Sequence, residues 1–224
     1  MKKTKRLKID RIILVLLVLY LLFYLFKGIL TSNIRNIYIY PDKLLNDQKI
    51  IELAGLEDYP SCLLTTNASI KRRLLANPYV KEVKVDKDWF CKVNIRVNEY
   101  KILFRKRIDD KIVLENGKEM LSDYKINDIP ILINYVPSEQ YTRLINEMKK
   151  IDDDILSRVS EIEYSPNEVD KERFLLSMND GNYIYLTLYK YDQLNYYLKV
   201  LPNLEGKKGI FYWDSGNYFK IIEG

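Results

Sequence analysis

The sequence predicts an α+β protein: an N-terminal transmembrane helix, a compact βααββ module, then a mainly antiparallel β-domain with packing helices. Three observations carry this reading. An uncharged apolar run, Ile12 to Phe26, follows a basic tail; apolar residues over 34–98 recur at strand, helix, helix, strand, strand periods; beyond residue 99 alternating segments dominate. The expected boundaries are a cytoplasmic tail over 1–11, a transmembrane helix over 12–30, the module over 34–98 and the C-terminal domain over 99–224.

The anchor is a matter of length. The fifteen residues from 12 to 26 cover about 22 Å of helix, short of a hydrocarbon core of about 30 Å. Extended from Ile9 to Leu30 the helix reaches about 33 Å, enclosing Asp10, Arg11 and Lys27 near its ends. Long basic stems there carry their charge to the interface, so Arg11 and Lys27 are expected to belong to the anchor. Lys2, Lys3, Lys5, Arg6, Lys8 and Arg11 precede the run and place the N-terminus in the cytoplasm. A cleaved signal peptide is the rival, and Gly28-Ile29-Leu30-Thr31-Ser32-Asn33 lacks the small-residue cleavage pattern it needs.

The same basic tail explains the net charge of +5. Taking those six residues from 36 basic, and Asp10 from 31 acidic, leaves 30 of each. The remainder is neutral, which argues against a nucleic-acid face. The chain has no histidine, which removes Ser-His-Asp and Cys-His catalysis and imidazole metal sites. Its two cysteines, Cys62 and Cys91, both follow the anchor. An oxidising compartment allows them to pair, but two residues form no framework, and free, partly buried thiols are the expectation.

Ile37 and Ile39 alternate with polar and tyrosine neighbours as a strand that Pro41 ends. Asn46-Asp47 caps a helix with Ile50, Ile51, Leu53 and Ala54 inward, stopped at Gly55. A second helix starts at Asn67 or Ser69 and ends before Asn77-Pro78. Val80, Val83 and Val85 form a strand, Asp86-Lys87-Asp88 a turn, and Val93, Ile95 and Val97 the returning strand. Two helices then cover one face of a three-stranded sheet.

In the second half, Ile102–Ile108 and Lys111–Leu114 are strand-like, and Glu115-Asn116-Gly117-Lys118 signals a two-residue hairpin. Ser138 caps an amphipathic helix bearing Tyr141, Leu144, Ile145, Met148 and Ile151. Strands follow over 159–164, 173–178 and 183–188, turned at Asp180-Gly181. A helix from Asp192 presents Leu194, Tyr197, Leu198 and Leu201, and residues 210–222 close the chain as a strand bent at Ser215-Gly216-Asn217.

Asn77-Pro78-Tyr79-Val80-Lys81-Glu82-Val83-Lys84-Val85, followed by Val93-Asn94-Ile95-Arg96-Val97-Asn98-Glu99, carries a resemblance. With the single span and the β-rich second domain, it is similar to the FtsQ/DivIB family of bacterial cell-division proteins, and the module resembles a POTRA domain. The family usually has Gly after the first strand and Pro in the hairpin turn; here stand Tyr40-Pro41 and Asp88-Trp89-Phe90. The resemblance implies a non-enzymatic divisome component at the cell membrane and division septum, helping control septal peptidoglycan synthesis by assembly. It implies FtsL-like and FtsB/DivIC-like single-pass partners, with septal peptidoglycan synthases as a further class, and no cofactor.

Chemistry-bearing motifs are few. Eight scattered glycines offer no phosphate loop. Asp109-Asp110 and Asp152-Asp153-Asp154 read as solvated charge, with Asp152–Asp154 capping the next turn; no catalytic or metal residue is assigned. The aromatic C-terminus is the candidate binding feature. A terminal strand at a sheet edge accepts another chain by β-augmentation, whereas the rival reading turns half of these aromatics onto the helices as core. The resemblance, which implies that the C-terminal β-domain receives the partners, tips Tyr212, Trp213, Tyr218 and Phe219 towards partner binding. The alternatives are a membrane-tethered wall hydrolase using paired carboxylates and a POTRA-type transport or chaperone subunit.

Overall fold

The computed structural model describes residues 9–30, 32–41, 43–122, 124 and 126–222. The chain divides into two compact units, Met1–Glu99 and Tyr100–Gly224.

Helix α1 spans Ile9–Leu30, and its side chains from Ile12 to Phe23 are exposed. Among the described residues no helix is long and apolar enough to cross a membrane. The tail over 1–8 and the side chain of Arg11 lie outside the described residues, whereas Lys27 is exposed in the last turn of α1.

The rest of the first unit is β1 (Asn36–Tyr40), α2 (Asp47–Ala54), α3 (Asn67–Leu75), β2 (Val80–Lys87) and β3 (Lys92–Glu99). Among the described residues the sheet order is β1-β3-β2, with β1 parallel and β2 antiparallel to β3. Asn46 begins α2 because its Oδ1 accepts the Lys49 amide at 2.8 Å; Gly55, at φ 68°, ends it. The second cap is Thr66, one residue before the expected start: its Oγ1 accepts the Ser69 amide at 3.1 Å. Ile50, Ala54, Ile70 and Leu74 face Val83, Val93, Ile95 and Val97, all buried. Strand β2 runs on through Asp86 and Lys87, so the turn lies at Asp88–Phe90, where Asp88 Oδ1 accepts the amides of Phe90 and Lys92.

The cysteines correct an expectation. Cys62 and Cys91 form a disulfide with Cα atoms 5.7 Å apart, inside the range a bridge needs. The backbone dictates the pairing. The Cys62 amide donates to Ser32 O and the Arg35 amide to Cys91 O, which draws both cysteines to the chain entering β1. That closeness is tertiary, and spacing alone does not show it.

In the second unit the elements are β4 (Ile102–Lys106), β5 (Ile112–Leu114), β6 (Glu119–Met120), β7 (Ile131–Leu132), α4 (Ser138–Met148), α5 (Asp153–Leu156), β8 (Val159–Tyr164), β9 (Arg173–Met178), β10 (Tyr183–Thr187), α6 (Tyr197–Val200), β11 (Gly209–Tyr212) and β12 (Tyr218–Ile221). Among the described residues they make a nine-stranded sheet in the order β12-β11-β10-β9-β8-β7-β4-β5-β6. The sheet is mixed: β4/β7, β7/β8 and β10/β11 are parallel. Leu103, Phe104, Ile162, Phe174, Leu176, Ile184, Leu186 and Phe211 meet Leu144, Met148, Leu194 and Tyr197 in one core.

Three local differences have physical causes. The Asn116-Gly117 hairpin has three residues: Lys118 O accepts the Leu114 amide, and only Gly117 takes positive φ, at 81°. The helix expected from Asp192 is largely 3-10, over Leu188–Tyr196 and Leu201–Leu204, with α6 between. Leu188, Tyr191, Leu194 and Tyr197 are all buried and recur every third residue, the eclipsed period of a 3-10 helix. The terminal strand is two strands: β11 and β12 pair antiparallel, Tyr212 opposite Tyr218, because Asn217 takes φ 56° and its amide closes the turn onto Tyr212 O. Asp152 does stand at the N-cap of α5, without a side-chain cap bond, and Pro137 occupies the cap position before Ser138.

Candidate functional site

The hairpin β11–β12 forms one margin of the larger sheet. Among the described residues β12 pairs with β11 alone, so its other side carries an open row of backbone groups. Alternation sorts its side chains. Phe211 and Phe219 point inward, their ring centroids 4.6 Å apart. Tyr212 and Tyr218 point the other way and stack at 4.7 Å and 10°.

That stack is the end of a ladder on the sheet face away from the core. Arg173 of β9 lies 3.5 Å from the Tyr185 ring centroid; Tyr185 of β10 is 5.3 Å from Tyr212, and Tyr212 meets Tyr218 at the edge. Cation–π and cross-strand aromatic contacts thus link four neighbouring strands. Arg173 Nε also donates to Asp214 Oδ2 at 2.7 Å, and both side chains are largely buried. The amides of Trp213 and Asp214 both donate to Tyr185 O, fixing the end of β11.

The other end of β11 is pinned by Asn182, itself buried. Asn182 Oδ1 accepts the Gly209 amide at 3.0 Å, its Nδ2 donates to Tyr197 Oη at 2.9 Å, and Tyr197 Oη donates to Asp180 Oδ2 at 2.7 Å. Burial, joined by the bond to Asp180, raises Tyr197 well above the ordinary phenol range, so it stays a neutral donor. Gly209 is required by close approach: a Cβ there would stand 2.2 Å from Lys220 O.

The four residues assigned from sequence divide. Tyr218 is 51% exposed and Tyr212 half-buried on the open face. Trp213 is buried at 7% exposure, and Phe219 packs against the same core. Between the 3-10 segment and the hairpin lies an open groove of about 410 Å³, lined by Tyr196, Val200, Leu204, Trp213, Tyr218 and Phe219. Sequence reading missed Arg173, Tyr185 and Asp214; the period-two spacing of Arg173 with Leu175 and of Tyr183 with Tyr185, which puts each pair on one face of its strand, was the available signal.

Elsewhere in this unit the carboxylates neutralise cations. Asp109 meets Lys106 at 3.0 Å, Asp110 meets Arg105 at 3.2 Å, and Asp153 meets Lys101 at 2.7 Å. Lys106 also pairs with Glu119, which accepts from Tyr141 Oη at 2.5 Å.

Residues 32–100 match the POTRA domain, FtsQ-type. Over most of its length the chain is similar to the cell division protein DivIB of several bacteria. Identity is 26% to that of Listeria monocytogenes, covering 84% of this chain and 73% of the relative. It is 25% to that of Bacillus subtilis, covering 97% and 84%, and 28% to that of Bacillus cytotoxicus, covering 86% and 78%. The chain is thus similar to DivIB proteins over most of its length, and its residues 32–100 to POTRA domains of the FtsQ type. Each of these relatives is a cell division protein by name. A solved structure, the major extracytoplasmic domain of DivIB from Geobacillus stearothermophilus, aligns at 22% identity and a TM-score of 0.40, covering 48% of this chain and 96% of that one.

Proposed function

We propose that this chain, like the DivIB proteins it is similar to, is a membrane-anchored scaffold of the division machinery. Its open edge strand β12 receives a segment of FtsL-like and FtsB/DivIC-like single-pass partners, and through that assembly it helps control septal peptidoglycan synthesis. Septal peptidoglycan synthases are a further partner class. The observation that carries the reading is the edge itself: among the described residues β12 has one neighbour, and the Arg173–Tyr185–Tyr212–Tyr218 ladder stiffens it for strand addition. Tyr212 and Tyr218 then contact the partner, while Trp213 and Phe219 shape the adjoining groove from the core side.

Helix α1 is the proposed anchor, with the tail over 1–11 cytoplasmic, residues 34–98 and 99–224 outside, and the septum as the site of action. The uncharged run alone is too short for the bilayer, and α1 as described does not reach the apolarity of a full span; the proposal takes its whole length, Ile9–Leu30, about 33 Å, as the anchor, with Arg11 and Lys27 as its interfacial residues.

The test is affinity capture of the full chain from its own membrane, with the co-purifying proteins identified by mass spectrometry. Deleting residues 210–224, or replacing Tyr212 and Tyr218 together by Ser, is expected to remove the single-pass partners while the chain resists alkaline carbonate extraction. Unchanged capture by both variants would overturn the edge-strand reading.

A further inference from the structure

The strongest unassigned feature is an apolar cluster at one end of the first unit. The turn between β2 and β3 presents Trp89 fully exposed and Phe90 69% exposed. Beside it the loop after Cys62 presents Leu63 at 48% and Leu64 at 75%. Large apolar side chains held this far out of a fold cost water contact without any return from packing, which makes them a contact surface.

The two segments are held as one end. The Cys62–Cys91 disulfide joins them covalently. Lys87 Nζ, at the close of β2, donates to Cys62 O and to Thr65 O at 2.8 Å, clamping the leucine loop to the hairpin. The turn's own carboxylate is turned inward: Asp88 Oδ1 accepts the Phe90 and Lys92 amides, both at 2.9 Å. The tip therefore offers aromatics and leucines outward.

The chain path decides where these residues lie. Helix α1 ends at Leu30. Ser32, two residues on, accepts the Cys62 amide at 2.8 Å, and Asn33 bridges to Ser61. Two residues span at most about 7 Å, so the segment bonded to Cys62 begins within that distance of the end of α1. Trp89 is two residues from Cys91, and Leu63 adjoins Cys62.

We infer that Trp89, Phe90, Leu63 and Leu64 form a second, shallow membrane contact, seated in the lipid headgroup region next to the emergence of α1. Trp suits that depth because its ring is apolar and its indole N–H keeps a polar partner. The contact fixes the tilt of the first unit on the membrane, which a single helix followed by a short connection does not. This rests on α1 being the anchor.

The test uses the full chain reconstituted in vesicles of neutral phospholipid, alone and with lipid brominated at shallow acyl positions. Trp89 emission is read as the difference between the wild type and Trp89→Ser. Expected are a blue-shifted difference spectrum, quenching by shallow bromines in preference to deep ones, and weak quenching by aqueous acrylamide. A red, acrylamide-quenched spectrum overturns the inference, as does a spectrum shielded from acrylamide yet indifferent to brominated lipid, which means a protein surface covers the tip. Carbonate extraction separates the two readings. If the chain is extracted, the anchor has failed; if it resists extraction and Trp89 stays in water, this contact alone has failed. Intact pairing of Cys62 with Cys91, checked by thiol labelling, shows that Trp89→Ser still folds.

Discussion

The Glu99 carboxylate accepts the Leu45 amide at 2.7 Å, across 54 residues of sequence. The same group accepts the Leu44 amide at 2.8 Å and that of Lys43 at 3.3 Å. The last residue of β3 thus holds the loop between β1 and α2, which explains in physical terms why a glutamate closes the alternating strand. Charge-assisted bonds to amides are stronger than neutral ones, and three converge here. Glu99→Ala should destabilise the first unit by about 3 kcal/mol, and Glu99→Gln by less, since an amide oxygen still accepts. Hydrogen exchange at the amides of Leu44 and Leu45 in the full chain is the measurement; unaltered protection in Glu99→Ala would contradict the assignment.

The disulfide yields a second expectation. Cys62 and Cys91 are 29 residues apart. Closing a loop of that size removes unfolded-state entropy worth about 3–4 kcal/mol. Reduction, or Cys62→Ser with Cys91→Ser, should lower the melting temperature of the first unit and leave the melting of the second unchanged. Differential scanning calorimetry with and without reductant reads both. A shift confined to the second unit would contradict this placement.

These two cases mark how much was legible. Caps are local, so Asn46 and Gly55 bound α2 as the sequence implies, and the valine alternation of β3 places its buried face. The disulfide depends on where Ser32 returns against Cys62, a tertiary fact. The 3-10 segment was legible in principle, because Leu188, Tyr191, Leu194 and Tyr197 fall at a period of three; a helical period of 3.6 fits Leu194, Tyr197, Leu198 and Leu201 equally well, and packing decides. In the candidate site, Tyr212 and Tyr218 could be named from sequence. Their continuation into Tyr185 and Arg173 could not, because it needs the register of strands far apart in the chain.

Acid should weaken the second unit through Glu119. Burial pulls its carboxyl upward, but the hydrogen bonds of Lys106 and Tyr141 outweigh that and hold it below its ordinary 4.5. A depressed folded value means stabilisation that is present above pH 4.5 and is lost as pH falls through the lower folded value. Lys106 is raised above 10.5: burial opposes its charge, and Glu119 and Asp109 more than compensate. Its contribution is full below that pH and is lost only in stronger base. Stability from this cluster is therefore flat through neutrality. Glu119→Gln should flatten the acid side of the stability curve, by on the order of 1 kcal/mol, given that the pair is partly solvated. Denaturant midpoints from pH 3 to 7 test it.

Tyr191 offers the opposite kind of change. Its ring is 1% exposed and packs edge-on to Phe174 at 6.4 Å, while its hydroxyl has no hydrogen-bond partner among the described residues. A buried, unsatisfied hydroxyl costs about 1–3 kcal/mol. Tyr191→Phe keeps the ring and removes that cost, so the melting temperature of the second unit should rise. A fall would mean that the hydroxyl is bonded.

The edge strand itself is tested by a residue that does not touch a partner. A Cβ on Gly209 would stand 2.2 Å from Lys220 O, a backbone atom of β12, and 2.7 Å from the Phe219 ring. The ring can turn aside; the carbonyl cannot move without shifting β12 from β11. Gly209→Ala should therefore misplace the edge and its Tyr212–Tyr218 stack, at a cost of about 1–3 kcal/mol for overpacking. Gly216 is the matched control, since a Cβ there meets only the Tyr218 ring, at 3.6 Å, an ordinary contact. Partner capture should fall for Gly209→Ala and hold for Gly216→Ala, with both chains resisting carbonate extraction. Equal capture by the two variants would mean that binding does not depend on the position of β12, and the docking surface would have to be sought away from this edge.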